Sequence, residues 1–243
     1  MKITGITPTG DRQLAFALCQ RWMSSQTRKL DQWLVVDDGK VPQQPAVEME
    51  YVRREPKAND AKFTLNANLQ TAVPLVTGDL VLILEDDEYY APNYVACMEQ
   101  GIGPHLLVGL SHSRYYHLPS GKYLQIGNAT HASLAETGFN RAFMPQFSHA
   151  LLGDAYLDIR LWQAARNQGV LYWDKGNPIY LGIKGLPGRP GIGLGHSETL
   201  YRRADSPDRS ILKQWVPQDW QIYMDVLSGA LNEANYREYF KWA

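Results

Sequence analysis

The longest purely aliphatic stretch in the chain is Leu80-Val81-Leu82-Ile83-Leu84, and four acidic residues follow it at once, Glu85-Asp86-Asp87-Glu88. Five branched aliphatics in a row predict a strand buried on both faces of a sheet. Upstream, Lys2 to Thr7 predicts a short strand that breaks at Pro8-Thr9-Gly10. Leu14, Leu18 and Trp22 then recur at helical spacing and predict a helix from about Asp11 to Ser25. Gln32 to Val36 predicts a second strand ending at Asp37-Asp38-Gly39, and Met49 to Arg53 a short third. Leu65, Leu69 and Val73 align on one face of a helix over 61–75, and Pro92 marks the first turn of the helix after the acidic run. Strands alternating with helices predict an α/β fold with a mostly parallel central sheet and helices on both faces.

The second half is less regular. Leu106 to Leu110 predicts a strand, and Arg114 to Ile126 a hairpin around Pro119-Ser120-Gly121. A helix is expected over 155–167, stopping at Gly169. Lys184 to Gly195 holds five glycines and two prolines in twelve residues and predicts a loop. Two helical stretches rich in Trp and Tyr follow Pro217. No linker or repeat divides the 243 residues, so the expectation is one domain over 1–243 with an irregular C-terminal half.

Apolar residues at 44% and charged residues at 20% are ordinary for a globular protein, and a net charge of −1 gives no general affinity for polyanions. Cys19 and Cys97 both fall inside expected helices and read as small buried residues of a reducing compartment. Neither a signal peptide nor a membrane-length apolar run is present, so a cytoplasmic location without membrane insertion is expected.

Carboxylates crowded at the end of a buried strand repel one another unless a positive charge sits among them, and a hard divalent cation holding phosphate oxygens is the common answer. Open α/β sheets bind their ligands at those strand ends. Three pieces, Ile6-Thr7-Pro8-Thr9, Val35-Val36-Asp37-Asp38-Gly39 and Gly78 to Asp87, occur in an order and spacing that resembles the nucleotide-sugar-binding half of GT-A glycosyltransferases, especially the large family 2. The resemblance covers roughly residues 1–100, which leaves 101–243 as the acceptor-binding half with its glycine-rich loop. The chain departs from the pattern in having Glu85 where that family usually shows Asp.

That resemblance implies a metal-dependent transferase that uses manganese or magnesium and a nucleotide-diphosphate sugar, with UDP the expected carrier. Thr7, Pro8 and Thr9 would lie against the base and ribose, with Arg12 just beyond them on the donor side. Asp38, with Asp37, would accept hydrogen bonds from the base, although Asp-Gly is also a strong turn dipeptide. Lys62 or Asn66 would face the base or phosphates from the helix before the metal strand. Asp87 would ligate the metal, Glu85 would hold the ribose or a metal-bound water, and Asp86 would belong with the donor-binding residues.

Asp154 reads both as the N-cap of the following helix and, by the resemblance, as the general base toward the acceptor hydroxyl, with Asp158 one turn further on. Arg189 in the glycine loop is expected on the departing diphosphate. His196 at its end is expected either as a metal ligand or as part of a structural turn. The acceptor is open, a glycan or a hydroxylated DNA base being the candidates. Arg114-Tyr115-Tyr116-His117 and Tyr201-Arg202-Arg203 mix cations with aromatics but read equally as exposed loops. A nucleotidyltransferase of similar core and a non-catalytic nucleotide-sugar-binding module are the alternatives. The first would usually carry a Gly-rich basic loop after the first strand, where this chain has only Gly10 and Arg12.

Overall fold

The fold is described from a computed structural model of the chain, covering residues 1–153, 156–172, 178–189 and 197–242. In chain order the strands are β1 (Ile3–Thr9), β2 (Gln32–Asp37), β3 (Glu50–Arg53), β4 (Leu80–Ile83), β5 (Tyr89–Tyr90), β6 (Leu107–Leu110), β7 (His112–His117), β8 (Lys122–Gly127), β9 (Thr137–Asn140), β10 (Gly169–Tyr172), β11 (Tyr180–Lys184) and β12 (Arg203–Ala204). The helices are α1 (Gln13–Ser24), α2 (Leu65–Ala72), α3 (Tyr94–Ile102), α4 (Met144–Ala150), α5 (Leu157–Ala165), α6 (Ser210–Trp215), α7 (Trp220–Ser228) and α8 (Tyr236–Tyr239).

The main sheet has the order β10-β6-β9-β4-β1-β2-β3. Its neighbours pair in parallel except at β9, which runs antiparallel to both β4 and β6. Both faces are covered, which is why the strands read as continuous apolar runs. On β4, Leu80 and Leu82 enter one core with Leu14, Leu18 and Trp22 of α1 and Tyr94 and Met98 of α3. Val81 and Ile83 enter the other with Leu69 of α2, Phe147 of α4, and Leu161 and Trp162 of α5. Each fully buried Leu, Ile or Val contributes about 1.5–3 kcal/mol, so the center of this sheet is where a polar substitution would cost most.

A second sheet, β12-β8-β7-β11-β5, lies beside the first. The expected hairpin is present as β7 and β8, paired from His112↔Gly127 to His117↔Lys122. Residues 85–88 are the link from β4 in the main sheet to β5 in the second, so the acidic run occupies the seam between the sheets.

Several boundaries differ from expectation. β1 does not break at Pro8 but continues to Thr9, which pairs with Asp37, because the pairing with β4 stops at Ile6 and beyond it proline has a strand neighbour on one side only. α2 starts at Leu65, four residues later than expected, so Lys62 precedes the helix and does not ride on it. Apolar spacing begins only at Leu65, and the polar stretch before it has no helical face to bury. α5 starts at Leu157 with Tyr156 in the cap position, so the cap expected at Asp154 falls two residues later. Lys184 ends a buried strand and does not open the glycine loop. Cys19 and Cys97 do lie in helices, the first buried and the second half-buried, and neither is bonded to the other. Among the described residues no helix is long and apolar enough to cross a membrane.

Candidate active site

The order of strands in the main sheet reverses at β1, whose neighbours are β2 on one side and β4 on the other. Crevices in open α/β sheets form at the carboxyl ends of strands at such a point. Here that crevice is a cleft of about 1250 Å³, lined among others by Thr9, Arg12, Asp38, Asp86, Asp87 and Lys184. Gly10 closes the β1 end against β2. A Cβ there would lie 2.3 Å from Asp38 Oδ1 and 3.0 Å from the Gly39 nitrogen, so no side chain fits.

The acidic run is bound into the fold by two cations. Arg12 Nη1 donates to Asp86 Oδ1 at 2.9 Å and lies 2.9 Å from Asp87 Oδ2. Asp86 Oδ2 accepts from Thr9 Oγ1 at 2.7 Å, which ties the ends of β1 and β4 together. Glu88 is buried, accepts the Ile183 backbone N–H at 2.7 Å and forms a close ion pair with Lys184. Burial works against the charge on Arg12 and Lys184, but the surrounding carboxylates outweigh it and hold both cations above their ordinary range. Burial pushes Glu85 up to about 8, Glu88 to about 7 and Asp86 to about 6, reinforced by like-charged neighbours and opposed by those two cations.

Oxygens of Glu85, Asp87 and Glu88 all lie within 4.8 Å of one another. With every group ionised, the four carboxylates and two cations leave two negative charges, which is what one divalent cation neutralises. An all-oxygen donor set suits a hard ion. The residues therefore fit a divalent cation, held by Glu85, Asp87 and Glu88.

The two aspartates that end β2 do different work. Asp37 is fully buried and its carboxylate is consumed locally: it accepts from the Gly39 and Gln43 amides at 2.8 Å each and from Tyr51 Oη at 2.5 Å, and it lies 3.3 Å from Arg53. It organises the β2–β3 loop. Asp38 lines the cleft instead, its Oδ2 bound by Arg54 Nη2 at 2.6 Å and its Oδ1 3.5 Å from Arg189 Nη1.

Other expected residues separate in the same way. Pro8 and Thr9 line the cleft, whereas Thr7 is turned into the core, where its Oγ1 accepts from Trp33 Nε1 at 2.9 Å. Asn66 points away from the cleft and donates to the Gly153 carbonyl at 2.8 Å, while Asn68 lines the cleft and accepts from Arg54 Nε at 2.6 Å. Lys62 presents its backbone carbonyl to Arg189 Nη2 at 2.9 Å, and its ammonium lies over the Phe63 ring. Arg189 thus reaches the Asp38 end of the cleft, and it touches the acidic end only through its carbonyl, which accepts from Arg12 Nε at 2.6 Å. Asp158 lines the cleft from the first turn of α5. Asp154 and His196 lie outside the described residues.

Three participants were not evident from sequence: Lys184, Arg54 and Glu136. The run Ile179-Tyr180-Leu181-Gly182-Ile183 is an apolar strand signal that would have placed Lys184 at a strand end. Glu136 carries no such signal. It is fully buried, its Oε2 accepts from Ser113 Oγ at 2.5 Å and Ser133 Oγ at 2.9 Å, and its Oε1 has no hydrogen-bond partner among the described residues. Burial pushes its carboxyl up to about 8, against the hydrogen bonds from Ser113 and Ser133. In the unfolded chain the same carboxyl ionises near its ordinary value of 4.5, so the protonated native state is favoured at low pH and its advantage is lost as pH rises toward 8. Urea denaturation from pH 5 to 9 should show wild type losing a few kcal/mol relative to Glu136→Gln across that window. Parallel pH profiles for the two proteins would show that Glu136 ionises normally.

Searches of protein-family models and of curated proteins find no match for this chain. Solved structures do match. TarS 1-349 from S. aureus is 13% identical over 75% of this chain, with a TM-score of 0.51. Its complex with UDP is 12% identical over 98% of this chain and 69% of that one, with a TM-score of 0.52. The mannosyltransferase PcManGT from Pyrobaculum calidifontis, in complex with GDP-Man and Mn2+, is 12% identical over 94% of this chain and 73% of that one, with a TM-score of 0.50. The fold is the GT-A fold. The chain spans 60% of the TarS 1-349 chain and 42% of the longer TarS chain. The sheet order is therefore that of a GT-A scaffold, and the expected fold class is borne out.

Proposed function

We propose that the protein is a metal-dependent glycosyltransferase that takes its sugar from a nucleotide-diphosphate donor, with UDP the expected carrier. The single observation that carries this reading is the acidic seam 85–88, set at the strand-order reversal of a GT-A sheet and facing the same cleft as Asp38. Likeness to structures solved in complex with UDP, or with GDP-Man and Mn2+, supports the donor class.

In this reading the nucleoside lies at the β1–β2 end, against Pro8 and Thr9. Asp38 Oδ1, the oxygen farther from its guanidinium partner, is free enough to accept the imide N–H of uracil. Arg54 and Asn68 fix the Asp38 side chain, so its direction is set before a ligand arrives. The diphosphate lies toward the seam, where Arg12 and Lys184 supply fixed positive charge. A divalent cation held by Glu85, Asp87 and Glu88 would neutralise charge on the leaving diphosphate. On the α5 side, Asp158 faces the cleft, and Asp154 is the proposed base that accepts the proton of the acceptor hydroxyl. His196 remains a proposed additional ligand.

The expected result is UDP release from a UDP-sugar that requires added manganese or magnesium, stops in EDTA and returns on metal re-addition. Tight, metal-assisted UDP binding should accompany it in calorimetry. Donor turnover that is indifferent to EDTA would overturn the metal assignment, and failure to bind any nucleoside diphosphate would overturn the reading altogether.

A further inference from the structure

The cations at the donor end of the cleft are all paired: Arg12 with Asp86 and Asp87, Arg54 and Arg189 with Asp38, and Lys184 with Glu88. The opposite wall differs. It is built from β8, the short β12 that pairs with it through Arg203↔Tyr123, and the segment leading into β12. Arg202 and Arg203 are consecutive, exposed and line the cleft, and among the described residues neither guanidinium has a hydrogen bond or an ion pair. The nearby Glu198 offers no relief, because it is 3.0 Å from Lys122. Two adjacent guanidinium groups without a carboxylate repel each other, and in a concave wall they concentrate positive potential.

The same cleft keeps apolar surface open. Ile126 is 44% exposed, Leu200 39%, Tyr156 65% and Phe63 37%, and all four line the cleft. Tyr156 holds this place with left-handed backbone angles, φ 52° and ψ 52°, an uncommon state for a bulky residue that persists where surroundings hold it. Rings and aliphatics of this kind receive the C–H face of a sugar or another flat ring. Such a surface beside unpaired guanidiniums fits a ligand that is ring-like on one side and anionic on the other. A neutral ring would fill the apolar part and leave both charges unanswered.

We infer that this wall is the acceptor subsite and that the acceptor is an anionic sugar or polyol, carrying a phosphate or carboxylate group that Arg202 and Arg203 bind while its ring packs on Tyr156 and Ile126. The inference rests on the transferase reading for the word acceptor, but not for the binding itself. Guanidinium pairs with either oxyanion in a bidentate way, so the two sources share one recognition chemistry.

Saturation-transfer NMR on the full chain with glucose, glucose 6-phosphate and glucuronate tests this, since the three probes share a ring and differ in charge. At least one anionic probe is expected to bind about tenfold tighter than glucose, and which one does so separates phosphate from carboxylate. Arg202→Gln combined with Arg203→Gln should remove that preference and leave the affinity for glucose and the binding of UDP with manganese unchanged. Equal affinity for all three probes, or a preference that survives the double substitution, would overturn the inference. If the anionic preference holds but UDP does not bind wild-type protein, the transferase reading fails and the anion subsite stands.

Discussion

Asp87→Asn is expected to reduce metal-supported UDP release by about a thousandfold. A metal ion that stabilises charge on a leaving group supplies several kcal/mol, and each 1.4 kcal/mol is about a factor of ten in rate. Asparagine keeps the shape of the side chain and can still accept a hydrogen bond from Arg12, which lies 2.9 Å from Asp87 Oδ2. The substitution also removes one negative charge from a crowded group, so the melting temperature should not fall. Turnover and thermal unfolding measured on the same preparation separate the two effects. Wild-type turnover in the variant would eliminate Asp87 as a metal ligand, and lost turnover together with lost structure would make its role architectural.

The largest effect on stability is expected at Lys184. Its ion pair with Glu88 is almost completely buried. Lys184→Met leaves a buried carboxylate without its cation, which costs about 3–5 kcal/mol when one partner of such a pair is removed. Adding Glu88→Gln restores a neutral group that can still accept from the Ile183 amide, 2.7 Å from Glu88 Oε2, so the double variant should recover most of the loss. Chemical denaturation of the four proteins closes the cycle. A single variant within 1 kcal/mol of wild type would mean that Glu88 is already neutral in the native protein.

The first half of the fold was legible because burial on both faces writes an unbroken apolar run, as in Leu80 to Leu84, and because each such run ends in a turn. The acidic seam was legible for the same reason: charge directly after a buried strand has few places to go. What could not be read was how each side chain is spent. Asp37 and Asp38 are adjacent and chemically identical, yet one is used up by the Gly39 and Gln43 amides and the other faces the cleft. Thr7 and Thr9 divide similarly between the Trp33 indole and Asp86. These fates depend on partners up to 151 residues away, and local pattern holds no record of them. Lys184 was misplaced because the glycines after it outweighed the apolar residues before it. β9 lacks any strong strand signature, since a four-residue strand centred on Gly138 and Phe139 relies on its neighbours for its shape.

The placement of β9 also bears on how the protein can be assembled. The ribosome delivers β1 to β4 within the first 83 residues, but the edge of β4 opposite β1 is closed only by residues 138–140 of β9. Until about 140 residues have emerged, Leu80 to Ile83 presents an unpaired, wholly aliphatic strand edge, the kind that templates association between chains. The expected division of the chain near residue 100 is thus not a division of its folding. A chain ending at residue 100 would hold the acidic seam and the Asp38 turn, yet would be sticky where β9 otherwise seals the sheet.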